Sequence, residues 1–217
     1  MKYPQRTVRM VSALLSAVSL LGSAQALTVQ ELGVSPGETA SISVAGFYTG
    51  DVSVGILKLV VDGVAADGFC IDPYHFSLSS SSEYQFRSLA DAPKLPGTMG
   101  AIKAEAVSKL WAMAYSPNMT SEEAAALQLA IWETIAGDNF SVLGNDYGAS
   151  FLLQRLESYS GNGANLIALS GPGQDYVTPV PDGGSTLIFL ALAAAGLVCV
   201  QLFARSLSFS AASELRG

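Results

Sequence analysis

The sequence predicts an α+β fold for a domain that lies between two hydrophobic terminal segments. Residues 39–71 are rich in β-branched and alternating apolar side chains, a pattern typical of strands. Helical segments follow between residues 102 and 135, and one of them starts with a capping motif. The length of 217 residues allows one domain, or at most two.

At the N-terminus, residues 1–26 have the pattern of a secretory signal peptide. A basic start precedes an apolar run from Met10 to Leu21, and Ala24-Gln25-Ala26 is a small-x-small cleavage site. The apolar run is short for a membrane span. Cleavage after Ala26 is therefore expected, rather than retention as an N-terminal anchor.

The central part of the chain is acidic. Residues 27–186 contain six Lys or Arg and seventeen Asp or Glu, a net charge of −11. Nucleic acid is not an expected partner, because phosphate binding requires clustered positive charge. Acidity of this kind is typical of a domain that must stay soluble after export.

The first strands are expected within residues 39–71. Polar and apolar side chains alternate from Ser41 to Gly46, and a β-branched-rich strand runs from Val52 to Val61. We expect the turn between them at Gly50-Asp51, because glycine and aspartate are typical turn residues.

A β-hairpin is expected next. Asp62-Gly63 is a strong hairpin signal, so residues 64–71 should return antiparallel to the preceding strand. Cys70 would lie near the end of this returning strand. Because side chains alternate along a strand, Phe69 and Ile71 should point to the face opposite Cys70.

Two helices follow a loop-like interval at residues 77–99. The first is expected over residues 102–115 and the second over residues 120–135, where Thr120-x-x-Glu123 forms a capping box. Short connections make such helices antiparallel neighbours. The remaining expected elements are strands at 84–86, 166–169 and 176–177 and a helix over 149–159.

The second predicted helix places one glutamine among apolar residues. Helical spacing directs the Gln128 amide toward the core, where an unpaired amide costs about 1–3 kcal/mol. Cys70 is a chemically suitable partner, because a thiol that condenses with a glutamine side chain, with loss of ammonia, forms an internal thioester. The residues on this helical face are Ala124, Gln128, Ile131, Trp132 and Ile135.

Two separated motifs resemble the thioester domains of bacterial surface adhesins. They are the aromatic-Cys-Ile-Asp segment at residues 69–72 and the Gln-x-Ala-Ile-Trp segment at residues 128–132. The family usually has Thr before its Gln, where this chain has Leu127. The resemblance implies a β-sandwich or barrel with a small helical subdomain. It also implies a bond between Cys70 and Gln128, surrounded by Phe69, Asp72, Ile131 and Trp132.

Other interpretations of Cys70 remain open. It could be an inert buried cysteine, because free cysteines are among the most buried residues. It could also be a hydrolase nucleophile paired with His75, the single histidine, although a continued strand would point the two side chains to opposite faces. A disulfide with Cys199 is not expected, because Cys199 lies in the C-terminal apolar segment. The nearest carboxylates, Asp72 and Glu133, are expected to be solvated charges, and a role in activating an incoming nucleophile is the alternative.

The C-terminal segment resembles the PEP-CTERM sorting signals of bacteria that make extracellular polysaccharide. A turn-rich linker at residues 179–186 precedes an apolar stretch at residues 187–204, near the lower length limit for a transmembrane helix, and a short tail at residues 205–217. A plain single-pass anchor is the alternative, because hydropathy alone does not distinguish the two. The family resemblance implies cleavage by an exosortase at the motif formed by Val180, Pro181, Asp182, Gly183 and Gly184.

Together these patterns predict an exported envelope protein whose thioester-type domain covers residues 27–178. It would be held in the membrane by its C-terminal helix until sorting, and it would attach once to an amine or hydroxyl on a surface or matrix target. Such single-turnover chemistry is not enzymatic, and no cofactor, metal site or catalytic residue is expected. A non-reactive structural protein of the exosortase-sorted class is the alternative, and a cysteine hydrolase is the third.

Overall fold

The computed structural model describes residues 26–93 and 97–180. One compact unit of the chain ends at Thr178. The predicted signal peptide up to residue 25, the sorting motif after Val180, and the predicted membrane helix and tail all lie outside the described residues. No helix in the described ranges is long and apolar enough to cross a membrane.

Strands predominate in the described chain, and the three α-helices lie between the fourth and sixth strands, in agreement with an α+β fold. The helices are α1 (Gly100–Ala114), α2 (Ser121–Ala136) and α3 (Ala149–Ser158). The strands are β1 (Leu27–Val44), β2 (Tyr48–Val61), β3 (Val64–Cys70), β4 (Ser82–Arg87), β5 (Phe140–Val142), β6 (Leu166–Ser170) and β7 (Tyr176–Pro179).

The strand pairings close into a ring, which makes the sheet a small barrel. Its strand order is β2-β3-β7-β6-β4-β1-β5, and β1 also pairs with β2. The ring closes at β1, because this strand pairs both with β4, starting at Leu27, and with β2. The end of β1 also pairs with β5 at Val44. Most of the strand between these points is antiparallel to β2.

Strand β1 begins at Leu27, well before the expected position near residue 39. Gly33, Pro36 and Gly37 look like strand breakers in the sequence, but they lie at two register shifts that bend the strand without ending it. Gly37 faces Gly55 on β2. A Cβ atom at Gly37 would lie 2.5 Å from the Val54 carbonyl oxygen, so the two backbones approach too closely for a side chain.

The first hairpin turn lies at residues 45–47, so the prediction of a turn at Gly50-Asp51 was wrong. Gly46 supplies the turn with a φ of +74°, whereas Gly50 and Asp51 pair with β1 inside the ladder. The second turn was predicted correctly. Asp62 and Gly63 have φ angles of +49° and +82°, as a type I′ turn requires, and Val61 pairs with Val64.

Helix α2 lies at the centre of the helical layer. It packs against β1 and β2 and also contacts α1 and α3. The predicted capping box is present, because the Thr120 hydroxyl accepts from the Glu123 N–H at 3.2 Å and the Glu123 carboxylate accepts from the Thr120 N–H at 2.8 Å. Residues 124–132 are all buried, because other elements pack around this part of the helix. A helix in such a position is apolar on every side.

Candidate functional site

The structure brings Cys70 and Gln128 into direct contact, although 58 positions separate them in the chain. The backbone N–H of Cys70 donates to Gln128 Oε1 at 2.9 Å, and Gln128 Nε2 donates to the Cys70 carbonyl at 2.8 Å. Each residue is only 2% exposed. The glutamine amide therefore continues the hydrogen bonding of β3 at the point where that strand ends, and it fixes α2 against the barrel.

The Cys70 sulfur lies in a small loop formed by its own chain. Its thiol donates to the Asp72 carbonyl, and the sulfur accepts from the Asp72 N–H, both at 3.3 Å. Burial raises the pKa of the Cys70 thiol far above its ordinary value of 9.0, although the Asp72 backbone and the Trp132 side chain act in the opposite direction. Cys70 makes no disulfide, and without a covalent bond to Gln128 its thiol is neutral.

Asp72 and His75 form a hydrogen-bonded pair directly after β3. Asp72 Oδ2 lies 2.7 Å from His75 Nδ1, and Asp72 Oδ1 accepts from the Tyr74 N–H at 3.1 Å. Burial raises the pKa of Asp72, and the neighbouring His75 opposes this rise. The expectation that Asp72 is a solvated charge was wrong, because the chain turns after Pro73 and covers the carboxylate. Glu133 is exposed, as expected.

A cavity of about 390 Å³ connects Cys70 and Gln128 with the surface. Residues between 31 and 42 of β1, residues between 48 and 57 of β2 and the segment after β3 form its walls, and Trp132 also lines it. No group of three or more His, Cys, Asp or Glu in the described part of the chain could hold a metal ion. A small group inside the cavity would lie next to the buried pair, because Cys70 and Gln128 are both among its lining residues.

A solved thioester domain is similar to this chain. It is the N-terminal thioester domain of a surface protein from Clostridium perfringens, with 9% sequence identity and a TM-score of 0.45. The similarity covers 72% of this chain and 99% of the solved one. No protein-family model and no curated protein matches the sequence. The chemistry of the site is therefore derived from the contacts of its own residues.

Only some of the residues predicted to surround the bond line the cavity in the structure. Trp132 lines the cavity, but Phe69 and Ile131 are not among its lining residues. The Phe69 ring instead packs edge-on against Trp111 of α1, with ring centroids 5.3 Å apart. This follows from the alternation of side chains along β3, which directs Phe69 away from the face of Cys70.

Three aromatic residues, Phe47, Tyr48 and Phe76, line the cavity and form an aromatic rim. The ring centroids of Phe47 and Phe76 are 5.1 Å apart, and those of Tyr48 and Phe76 are 5.6 Å apart. Phe47 and Phe76 are 41% and 59% exposed. No sequence pattern indicates this rim, because Phe47 lies in the first hairpin turn, Tyr48 starts β2 and Phe76 lies in the segment after Cys70.

Trp132 contributes an unpaired hydrogen-bond donor to the site. Its ring packs against Phe140 of β5, with centroids 5.9 Å apart. Its Nε1 is buried and has no hydrogen-bond partner among the described residues. Trp132 and Cys70 line the same cavity, and the indole favours the charged form of the sulfur. Trp132 is thus both a core residue and part of the site.

Glu31 is a cavity carboxylate that the sequence did not indicate. It lies at a register shift of β1, and its Oε2 accepts from the Tyr176 hydroxyl at 2.9 Å. Tyr176 pairs with Cys70 across β3 and β7, so closure of the barrel brings Glu31 toward the site. Burial raises the pKa of Glu31, although hydrogen bonds from Tyr176 and Ser77 oppose this.

Proposed function

We propose that this chain is a bacterial surface protein that forms a thioester between Cys70 and Gln128 and uses it for one covalent attachment. The reciprocal hydrogen bonds between the Gln128 amide and the Cys70 backbone carry this proposal. They hold the thiol-bearing residue and the amide together in a buried site before any bond forms. Such fixed proximity is worth a large part of the barrier to an intramolecular reaction.

Bond formation needs no further reactant. The Cys70 sulfur attacks the Gln128 side-chain carbonyl carbon, the carbon–nitrogen bond breaks, and the amide nitrogen leaves as ammonia with the thiol proton. Burial of both residues protects the product from bulk water. The cavity provides the route by which a target group reaches the same carbon.

Attachment then replaces the carbon–sulfur bond. An amine or hydroxyl attacks the Gln128 acyl carbon, Cys70 leaves as a thiol, and an amide or ester joins the protein to its target. The reaction happens once per molecule, so the protein is not an enzyme in this proposal. The target is a nucleophile on a surface or in an extracellular matrix.

Sorting is part of the same proposal and is supported by the sequence alone. Residues 1–26 are removed on export, the apolar segment at residues 187–204 holds the protein in the membrane, and an exosortase acts at the motif that begins with Val180. The protein then remains in the cell envelope or on the outer surface.

Two alternatives differ in the state of Cys70. In a structural surface or matrix protein, the pair stays hydrogen-bonded and no thioester forms. In a cysteine hydrolase, the thiol would need a lowered pKa and an adjacent base. Burial has the opposite effect on the pKa of Cys70, and the thiol donates to the Asp72 carbonyl. The hydrolase is therefore the least supported of the three.

Intact mass of protein recovered from the surface of expressing cells tests the proposal. We expect a chain that lacks residues 1–26 and, in an exosortase-bearing host, also the span after the Val180-Pro181 motif, and that is lighter by one further ammonia. Methylamine should add to Gln128 and release one titratable thiol. Cys70→Ala and Gln128→Ala should each abolish both changes, whereas Gln154→Ala, an exposed glutamine on α3, should not. A free thiol with full mass before treatment would instead support the structural alternative.

A further inference from the structure

An imidazole held by a buried carboxylate opens into the cavity that contains the proposed bond. The Asp72 side chain is 3% exposed and the His75 side chain is 35% exposed, with 2.7 Å between Oδ2 and Nδ1. The carboxylate thus lies behind the ring, while the ring lines the same cavity as Cys70 and Gln128. With Asp72 ionised, Nδ1 carries the hydrogen, and Nε2 keeps a lone pair that can accept a proton.

The two possible classes of nucleophile make different demands on such a group. A free amine attacks a thioester with its own lone pair. A neutral hydroxyl is a much weaker nucleophile and reacts efficiently only when a base removes its proton during attack. An imidazole fixed by a carboxylate is the arrangement that performs this step in serine hydrolases.

We propose that His75, oriented by Asp72, is the base that allows the Cys70–Gln128 thioester to react with hydroxyl groups. This inference rests on the proposed function, because it requires the thioester. The target class is then an alcohol, such as the hydroxyl of a saccharide, and the product is an ester.

The step balances without any other reactant. The hydroxyl oxygen attacks the Gln128 acyl carbon while its proton moves to His75 Nε2. The carbon–sulfur bond breaks, and its electron pair stays on the Cys70 sulfur. The imidazolium then returns the proton to sulfur, which needs it because burial raises the pKa of that thiol. One ester and one thiol result, and His75 ends in its starting form.

The walls of the cavity are compatible with a hydroxyl-bearing molecule. The volume of about 390 Å³ lies within the range of small-molecule sites. The carboxylates of Glu31 and Asp51 already accept hydrogen bonds from Tyr176 and Ser41. These carboxylates therefore provide oriented acceptors in the cavity that the aromatic rim also lines.

Rates with two probes test the inference. Purified protein that carries the thioester is treated with glycerol or with methylamine, and thiol release and adduct mass are followed. His75→Gln should lower the ratio of the glycerol rate to the methylamine rate by about 10²-fold. Added imidazole should restore ester formation in His75→Ala, which a merely structural role of His75 would not produce. Ser53→Ala, which removes a polar cavity side chain that takes no part in the step, should leave the ratio unchanged.

The outcomes separate the two proposals. If wild-type protein forms the methylamine adduct but no glycerol ester, or if His75→Gln forms both at the wild-type ratio, the role of His75 is wrong and the thioester stands. If wild-type protein does not react with methylamine, the thioester is absent and both proposals fail.

Discussion

Gln128 and Trp132 lie on the same helix and line the same cavity, but their buried polar groups differ in hydrogen bonding. The Gln128 amide satisfies its own groups and both backbone groups of Cys70, so its burial is compensated. The Trp132 N–H is buried without a partner in the described chain. The effect of this side chain falls on the neighbouring Cys70 sulfur, because Trp132 lowers the pKa of that thiol against the larger opposing effect of burial.

Glu31 should make the stability of the domain depend on pH. Burial raises its pKa above the ordinary value of 4.5. A carboxyl whose pKa is higher in the folded than in the unfolded protein stabilises the fold at low pH, and this contribution is lost as pH rises through the raised pKa. Glu31→Gln removes the ionisation and keeps an acceptor for Tyr176. The variant should gain stability relative to wild type as pH rises from about 4 to 7.

Urea unfolding at several pH values measures this effect of Glu31. Glu105→Gln is a matched control, because Glu105 is exposed and Lys109 lowers the pKa of its carboxyl. As pH rises, the free energy of unfolding of Glu105→Gln should not increase relative to that of wild type, as it should for Glu31→Gln. A constant difference between Glu31→Gln and wild type across this range would contradict a buried, pKa-raised Glu31.

The close approach of β1 and β2 should depend on glycine at position 37. A Cβ atom there would lie 2.5 Å from the backbone oxygen of Val54, which cannot move without disturbing the ladder. Gly37→Ala should therefore lower the free energy of unfolding by about 1–3 kcal/mol, as other overpacked substitutions do. Chemical denaturation measures the change.

Gly144→Ala provides the control for this substitution. A Cβ atom at Gly144 would have no heavy atom within 4 Å, so no steric cost is expected there. Equal stability of Gly37→Ala and Gly144→Ala would show that β1 and β2 do not pack as tightly as described.

Elements with a strong local signal could be predicted from the sequence. Helix α2 has a capping box followed by a long apolar segment, and the hairpin at Asp62-Gly63 has the turn residues that its geometry requires. The start of β1 and all of β5 could not be predicted. The start of β1 contains glycines and a proline, which normally indicate the end of a strand. Strand β5 has only three residues, and it forms because they pair with β1, which is distant in the sequence.

The candidate site likewise contains residues with a strong local signal and contacts that depend on tertiary structure. Cys70 and Gln128 could be paired from the sequence because each stands out chemically in its own element. The Asp72–His75 contact depends on how the chain turns after β3, and the position of Glu31 depends on barrel closure through Tyr176. Neither leaves a periodic pattern in the sequence, so the Asp72–His75 contact and the place of Glu31 in the site could be identified only from the structure.

The two layers of the domain meet at the proposed bond. Cys70 ends a barrel strand, and Gln128 lies in the middle of the helix that packs on β1 and β2. A thioester between them would be a cross-link between the barrel and the helical layer. The attachment reaction would cut this cross-link, because the acyl group stays on α2 while the sulfur stays on β3.

Cutting the cross-link should destabilise the whole domain. A bond that spans 58 positions restricts the unfolded chain, and the chain-entropy description used for disulfides gives a stabilisation of about 4 kcal/mol for a loop of this length. Methylamine treatment should therefore shift the urea midpoint of wild-type protein downward, toward that of Cys70→Ala. Treated and untreated Cys70→Ala should unfold together, since neither contains the bond. If wild-type protein gains the methylamine mass and yet keeps its midpoint, the thioester does not constrain the unfolded chain, and attachment would leave the stability of the domain unchanged.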